Sequence, residues 1–351
     1  MVDKRKVRRD HADFFCTVSE GIRGKRALQW KLVDELVPRS RFRETVEERA
    51  REIASKSPWK EGLLGITLNS LERQIEKDEI RYRNLHLKLD RERGCVDFHI
   101  QGPSLKVPAT IEEFHQLGDS FWMLALGREL DDAILHLSFN EPAFGTWVFH
   151  THGDAAKLFK HERFLVNASD DWLAKEITLF LKRVLKRIDL TSRSLITLVE
   201  PGSCFAGFLL ELVLASDRSY MLDGTFENSD KPAPKLLPTE MNFGPMQMCN
   251  GLTRLETRFL DQEEHVAGIE SLIGQELDAE EALELGLITF IPDDIDWEDE
   301  VRLAIEERSS FSPDALTGME ASLRFPGPET IETKIFGRLM IMEIQKEYHH
   351  G

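Results

Sequence analysis

Apolar and polar positions alternate with period two along Leu85-His86-Leu87-Lys88-Leu89 and again along Val96-Asp97-Phe98-His99-Ile100. Period-two alternation is the mark of a half-buried strand, and Arg91 to Gly94 between the two runs predicts a hairpin. Residues 40 to 80 are charged and helix-periodic, with Arg41, Arg43, Glu44, Glu47, Glu48 and Arg49 on polar faces and a break at Ser57-Pro58. A helix is predicted from about Trp122 to Leu130, followed by a strand at Ala133–Phe139. Leu173 to Ile188 repeats its apolar residues at helical spacing, and Ser194 to Val199 is a strand entering a small-residue turn. Strands alternating with helices place the chain in the α/β class.

Length and charge narrow the function classes. At 351 residues, 41% of them hydrophobic, the chain can bury two or three domain cores. A formal charge of -17 argues against a duplex-DNA binder, which needs a net basic face to neutralise phosphates. No stretch approaches the roughly 18 apolar residues of a membrane span, and the opening MVDKRKVRRDHADFF has charge without an apolar signal core. A cytoplasmic protein with no membrane and no nucleic-acid partner is expected. Cys16, Cys95, Cys204 and Cys249 show no paired spacing, as expected of reduced thiols rather than a disulfide framework or zinc site.

Chemistry concentrates at PGSCFAGFLLELVLASD, Pro201 to Asp217. A strand, a Gly-containing turn and a helix leave unpaired N–H groups at the helix start, suited to an oxyanion. Glu211 lies inside an otherwise apolar helix, where a carboxylate costs several kcal/mol (order of magnitude) unless it is partnered or working. Catalysis and a buried pair with an arginine are equally open readings of this residue.

Further on, PTEMNFGPMQMCNGLTRL, Pro238 to Leu255, carries Glu240, Gly244, Gly251 and Arg254. Together the two segments resemble the crotonase (enoyl-CoA hydratase/isomerase) superfamily, whose members carry a catalytic glutamate in each. The resemblance implies Glu211 and Glu240 as the acid/base pair and Gly207 or Phe208 as an oxyanion donor. A second donor is expected around Phe144 to Trp147. Phe208, Leu209, Met248 and Asn250 stand where the family prefers glycine, so a reshaped pocket is expected. The implied fold is a crotonase-like α/β spiral of ββα repeats with C-terminal helices. The substrate would be a coenzyme A thioester, with no cofactor and no metal, and self-assembly is expected.

An internal echo supports a tandem architecture: ALQWKLV at Ala27–Val33 recurs as ALELGLI at Ala282–Ile288, and Pro38 and Pro292 close the two copies. In crotonases this phrase ends the spiral core. Residues 1–80 are therefore expected to be the C-terminal helices of a truncated first module plus a linker, 81–292 a complete spiral core, and 293–351 a C-terminal helical region. The runs RYRNLHLKLDRERGCVDFHIQGP, WMLALGRELDDAILHLSFNEPAFGTWVFHTHGD and SSFSPDALTGMEASLRFPGPETIETKIFGRL are similar to the benzoyl-CoA-dihydrodiol lyases, also called 2,3-epoxybenzoyl-CoA dihydrolases. That branch of tandem crotonases opens an epoxidised ring with water and releases formate. The match runs to about Leu339; the ending after it departs from the family. A simple enoyl-CoA hydratase or isomerase and a non-catalytic scaffold module are the alternatives.

Three further features carry structural readings beside functional ones. His150 and His152 share a strand face, as two metal ligands would, but no third ligand follows at characteristic spacing and a polar loop is the expectation. Lys182, Arg183, Lys186 and Arg187 form a basic helix ridge, either solvated or near a nucleotide phosphate. Met241, Met246 and Met248 are expected to line core or an acyl pocket.

Overall fold

The predicted hairpin forms as β3 (Leu85–Asp90) and β4 (Cys95–Gln101), with Leu87 opposite Phe98 and Leu89 opposite Val96. It belongs to a seven-stranded sheet in the order of the chain: β1 (Gln74–Ile75), β2 (Glu79–Arg81), β3, β4, β5 (Thr146–His152), β6 (Ser194–Val199) and β7 (Arg218–Met221). This is a computed structural model, and the residues it describes are 1–57, 62, 65–227 and 229–326. Pro58 and the sequence from Gly327 onward lie outside them. The first four strands are antiparallel neighbours and the last three join in parallel. The parallel joins need helical crossovers, which the chain supplies.

The chain divides into two compact units, residues 1–65 and 66–351. Unit one holds α1 (Val2–Arg5), α2 (Arg9–Thr17), α3 (Gly24–Gln29) and α4 (Phe42–Ser55). No residue of α4 is buried, and its surface carries Arg43–Glu47 and Lys56–Glu52 pairs at four-residue spacing.

In the second unit α5 (Ile111–Leu117) and α6 (Trp122–Asn140) connect β4 to β5, and α7 (Ala155–Asn167) and α8 (Trp172–Leu190) connect β5 to β6. The strand expected at Ala133–Phe139 is instead the continuation of α6. Leu126, Leu130, Ala133, Ile134 and Leu137 are all buried, spaced four, three, one and three apart, which is one face of a helix. Nothing between Leu130 and Ala133 stops the helix, and packing against α8 extends it. Gly127 permits this packing, since a Cβ there would come within 2.8 Å of Leu181 Cδ2.

A short α9 (Gly207–Ala215) links β6 to β7. There follow a 3-10 turn at Glu240–Phe243, α10 (Arg254–Arg258), α11 (Glu263–Glu270), α12 (Ala279–Glu284), α13 (Trp297–Ser310) and α14 (Pro313–Leu323). Val96, Phe98 and Ile100 face the main core with Trp147, Phe149, Leu195 and Val199, and α9 is buried there on every side. The other sheet face carries Cys95, Val148, Ile196, Leu198 and Tyr220, covered by Trp297, Ala304 and Ile305 of α13. Of the expected C-terminal helical region, α13 and α14 fall within the described residues.

The internal echo is structural as well as textual. Lys31 N donates to Leu28 O and Leu32 N to Ala27 O, each at 2.9 Å. In the second copy Gly286 N donates to Leu283 O and Leu287 N to Ala282 O, again at 2.9 Å. Both are helix stops through a left-handed residue: Gly286 at φ 71°, the residue type that suits it, and Lys31 at φ 60°. Ala27 and Ala282 are buried at the same point of each copy.

Candidate active site

The turn between β6 and α9 projects from the C-terminal edge of the parallel strands. Ala206 makes a parallel bridge with Leu237, and Gly207 N donates to Leu237 O at 3.1 Å, so the segment carrying Glu240 is tied to the start of α9. Thr239 and Asn242 then form a reciprocal cap around the 3-10 turn, Thr239 N donating to Asn242 Oδ1 at 3.0 Å. This links the two sequence motifs in space: Asn242 Nδ2 donates to Glu211 Oε1 at 2.6 Å and to Gly207 O at 2.9 Å.

Glu211 is 1% exposed. Its second oxygen accepts from Arg254 Nη1 at 2.6 Å, while Arg254 Nε and Nη2 donate to the two oxygens of Asp189 at 3.0 and 2.6 Å. All three groups are sealed from solvent. Burial raises the Glu211 and Asp189 carboxyls above their ordinary range, with Arg254 opposing the shift in each. A bidentate Arg–carboxylate fork is the geometry that offsets such burial. Glu240, by contrast, is exposed at the first position of the 3-10 turn. The four residues that the sequence suggested thus meet in one neighbourhood, but Glu211 faces Arg254 and Asn242 while Glu240 faces solvent.

The donor expected at the start of α9 is occupied. Phe208 N–H donates to Glu162 Oε1, and Thr239 Oγ1 donates to Glu162 Oε2 at 2.7 Å. Glu162 projects from α7 and is buried. Desolvation pushes its carboxyl up to about 8, with the Phe208 and Thr239 bonds opposing and the charges of Glu211 and Glu240 adding to the rise. Gly207 has φ 44°, and any Cβ there would run into the Glu162 carboxyl, so the glycine is required both for conformation and for space.

The second donor expected around Phe144 to Trp147 is misplaced. Those residues enter β5 at its N-terminal edge, opposite the edge from which α9 departs. The error follows from reading Ala133–Phe139 as a strand. The loop on the correct edge begins at Gly153, whose N–H donates to Gly202 O at 3.0 Å.

Glu162, Asp189, Thr239 and Asn242 carry much of the site, yet sequence reasoning passed over them. Thr239 and Asn242 had a signal, a T-x-x-N spacing around Glu240. Asp189 had only a weak signal, as an acid directly after Ile188 at the end of the apolar stripe of α8. Glu162 had none, since one acid in an amphipathic helix reads as surface.

The remaining candidates fall elsewhere. His150 lies between Asp97 and Glu200, at 3.4 and 3.3 Å, and His99 Nδ1 sits 3.1 Å from His152 Nε2. Burial opposes protonation of His150, but the Asp97 and Glu200 carboxylates outweigh it and lift the imidazole to about 9. Among the described residues no group of three or more His, Cys, Asp or Glu side chains is arranged to hold a metal ion. The basic ridge is largely engaged: Lys182 donates to Gln247, Arg183 lies over the Phe180 ring and Arg187 pairs with Asp131. Met241 and Met246 belong to the core. Among the described residues no helix is long and apolar enough to cross a membrane.

No protein-family model matches the chain. Among curated proteins, benzoyl-CoA-dihydrodiol lyase of Aromatoleum evansii is 46% identical over 339 residues, which is 97% of this chain and 60% of that protein. The chain therefore spans 60% of that relative's length. Among solved structures, an enoyl-CoA hydratase/isomerase from Marinobacter aquaeolei aligns with a TM-score of 0.51 at 16% identity, covering 75% of this chain and 90% of the other. An enoyl-CoA hydratase from Geobacillus kaustophilus aligns with 0.50 at 17% identity, covering 76% and 90%. The chain has the crotonase fold, an α/β mixed sheet with flanking helices and helices toward its C-terminal end.

Proposed function

We propose that this chain is a module of a crotonase-type acyl-CoA lyase that opens the ring of 2,3-epoxybenzoyl-CoA with water and releases formate, as in aerobic benzoate degradation. The observation that carries the reading is the 46% identity to a benzoyl-CoA-dihydrodiol lyase sustained over 97% of the chain. The chemistry asks for a donor to a thioester oxygen, typically worth about 3 kcal/mol, and for a carboxylate within reach of water. Phe208 N–H, held by Glu162 in this structure, would supply the first on release, and Glu240, exposed beside Thr239, the second. Gly207 holds the α9 start in place, and Glu211 braces the same turn through Asn242. A cytoplasmic setting and assembly with copies of itself belong to the same proposal.

The test is to incubate the chain and its Glu240→Gln variant with 2,3-epoxybenzoyl-CoA and quantify formate. Formate from the unmodified chain, lost in the variant, is the expected result; equal formate from both removes Glu240 from the chemistry.

A second reading is favoured by the sealing of Glu211, both of whose oxygens are already bonded. In it this module is a scaffold, the Glu211–Arg254–Asp189 cluster is structural, and turnover takes place elsewhere in a tandem enzyme. Folded protein that produces no formate would favour it.

A further inference from the structure

We infer that Glu162 is a built-in plug: its carboxyl occupies the place at the start of α9 that a thioester carbonyl oxygen would take, and acyl-CoA engages this module only when that carboxyl is displaced. The inference rests on the reading of the α9 start as an acyl-CoA site, and adds how that site is controlled.

Three observations converge on it. The Phe208 N–H, a donor with no partner inside its own helix, is satisfied by Glu162 Oε1 rather than by solvent. The other carboxyl oxygen is held by the Thr239 hydroxyl at 2.7 Å, and Thr239 immediately precedes Glu240, so the plug is tethered to the second glutamate segment. The carboxyl also fills the space that Gly207 leaves empty by lacking a Cβ, which puts it directly against the turn. An acyl oxygen and the Glu162 carboxyl are therefore alternative acceptors for one donor. A buried amide without an acceptor is costly, so the donor is always taken by one of them.

The test is binding of benzoyl-CoA, a thioester without an epoxide to open, to the chain and to Glu162→Gln and Glu162→Ala. Gln keeps an acceptor at Phe208 and should bind as weakly as the unmodified chain. Ala clears the position, and affinity should rise about tenfold or more, because closed molecules no longer tax binding. The thioester carbonyl stretch should fall in frequency in the Ala variant as its oxygen takes the Phe208 N–H. Glu162→Ser serves as the second cleared variant if the Ala protein does not fold. Cleared, folded variants that bind no more tightly, or bind with an unshifted carbonyl, overturn the plug.

Formate release from 2,3-epoxybenzoyl-CoA, measured in parallel, separates this from the lyase reading. Formate without any binding gain in the cleared variants keeps the lyase and overturns the plug. A binding gain without formate keeps the plug and removes lyase chemistry from this module.

Discussion

Replacing Glu162 by Gln should flatten the pH dependence of stability. The folded carboxyl titrates at about 8 against an ordinary 4.5, because desolvation penalises its charged form. Between those two values the folded chain keeps a proton that the unfolded chain has released. Stability from this group is therefore greatest in acid and falls as pH rises toward 8. At about 1.36 kcal/mol per pH unit, the loss between pH 5 and pH 7.5 is roughly 3 kcal/mol. Gln has the same shape, can accept from Phe208 N–H and can donate to Thr239 Oγ1, but it cannot ionise. Asp189 and Glu129, also raised by burial, contribute the same slope to both proteins and cancel in the comparison. Urea unfolding of both proteins at pH 5 and pH 7.5 measures the difference. Curves that run parallel, with the gap changing by less than about 1 kcal/mol, would refute a buried neutral acid at this position.

Two other perturbations follow from the same kind of argument. Arg254→Met leaves the Glu211 and Asp189 carboxylates buried without their cation, and should cost about 3–5 kcal/mol in urea unfolding near neutral pH. The cost should shrink on acidification as the two groups take up protons, and a variant as stable as the parent would show the cluster to be dispensable. His150→Gln removes an imidazole held at about 9 between Asp97 and Glu200, against an ordinary 6.5. Its contribution, on the order of 2–3 kcal/mol, should be complete below pH 6.5 and lost as pH rises through 9, so parent and variant melting curves should converge in alkali.

Much of the fold is local in origin and legible on that account. The β3–β4 hairpin is written as alternating residues, α8 as an apolar stripe and the helix-stop echo as two near-identical phrases. Each depends on neighbours a few positions away. α6 was misread because Leu135-His136-Leu137-Ser138-Phe139 alternates as a strand would while Ala133, Ile134 and Leu137 also fit a helix face, and packing against α8 decides that the helix continues to Asn140. Glu211 and the strand–turn–helix around Gly207 could be picked out from the residues themselves, since a carboxylate in an apolar helix is costly wherever it ends up; Glu240 was implied only by the crotonase resemblance.

What the chain alone determined was therefore the class of fold, the two motifs and the residue types available for chemistry. What each carboxylate faces was decided only in three dimensions. Glu162 reaches Phe208 across 46 positions, Asp189 reaches Arg254 across 65, and Glu211 reaches Arg254 across 43. Whether a buried acid is a catalyst, an ion-pair partner or a plug depends on its distance to a donor and its loss of water, and chain separation encodes neither.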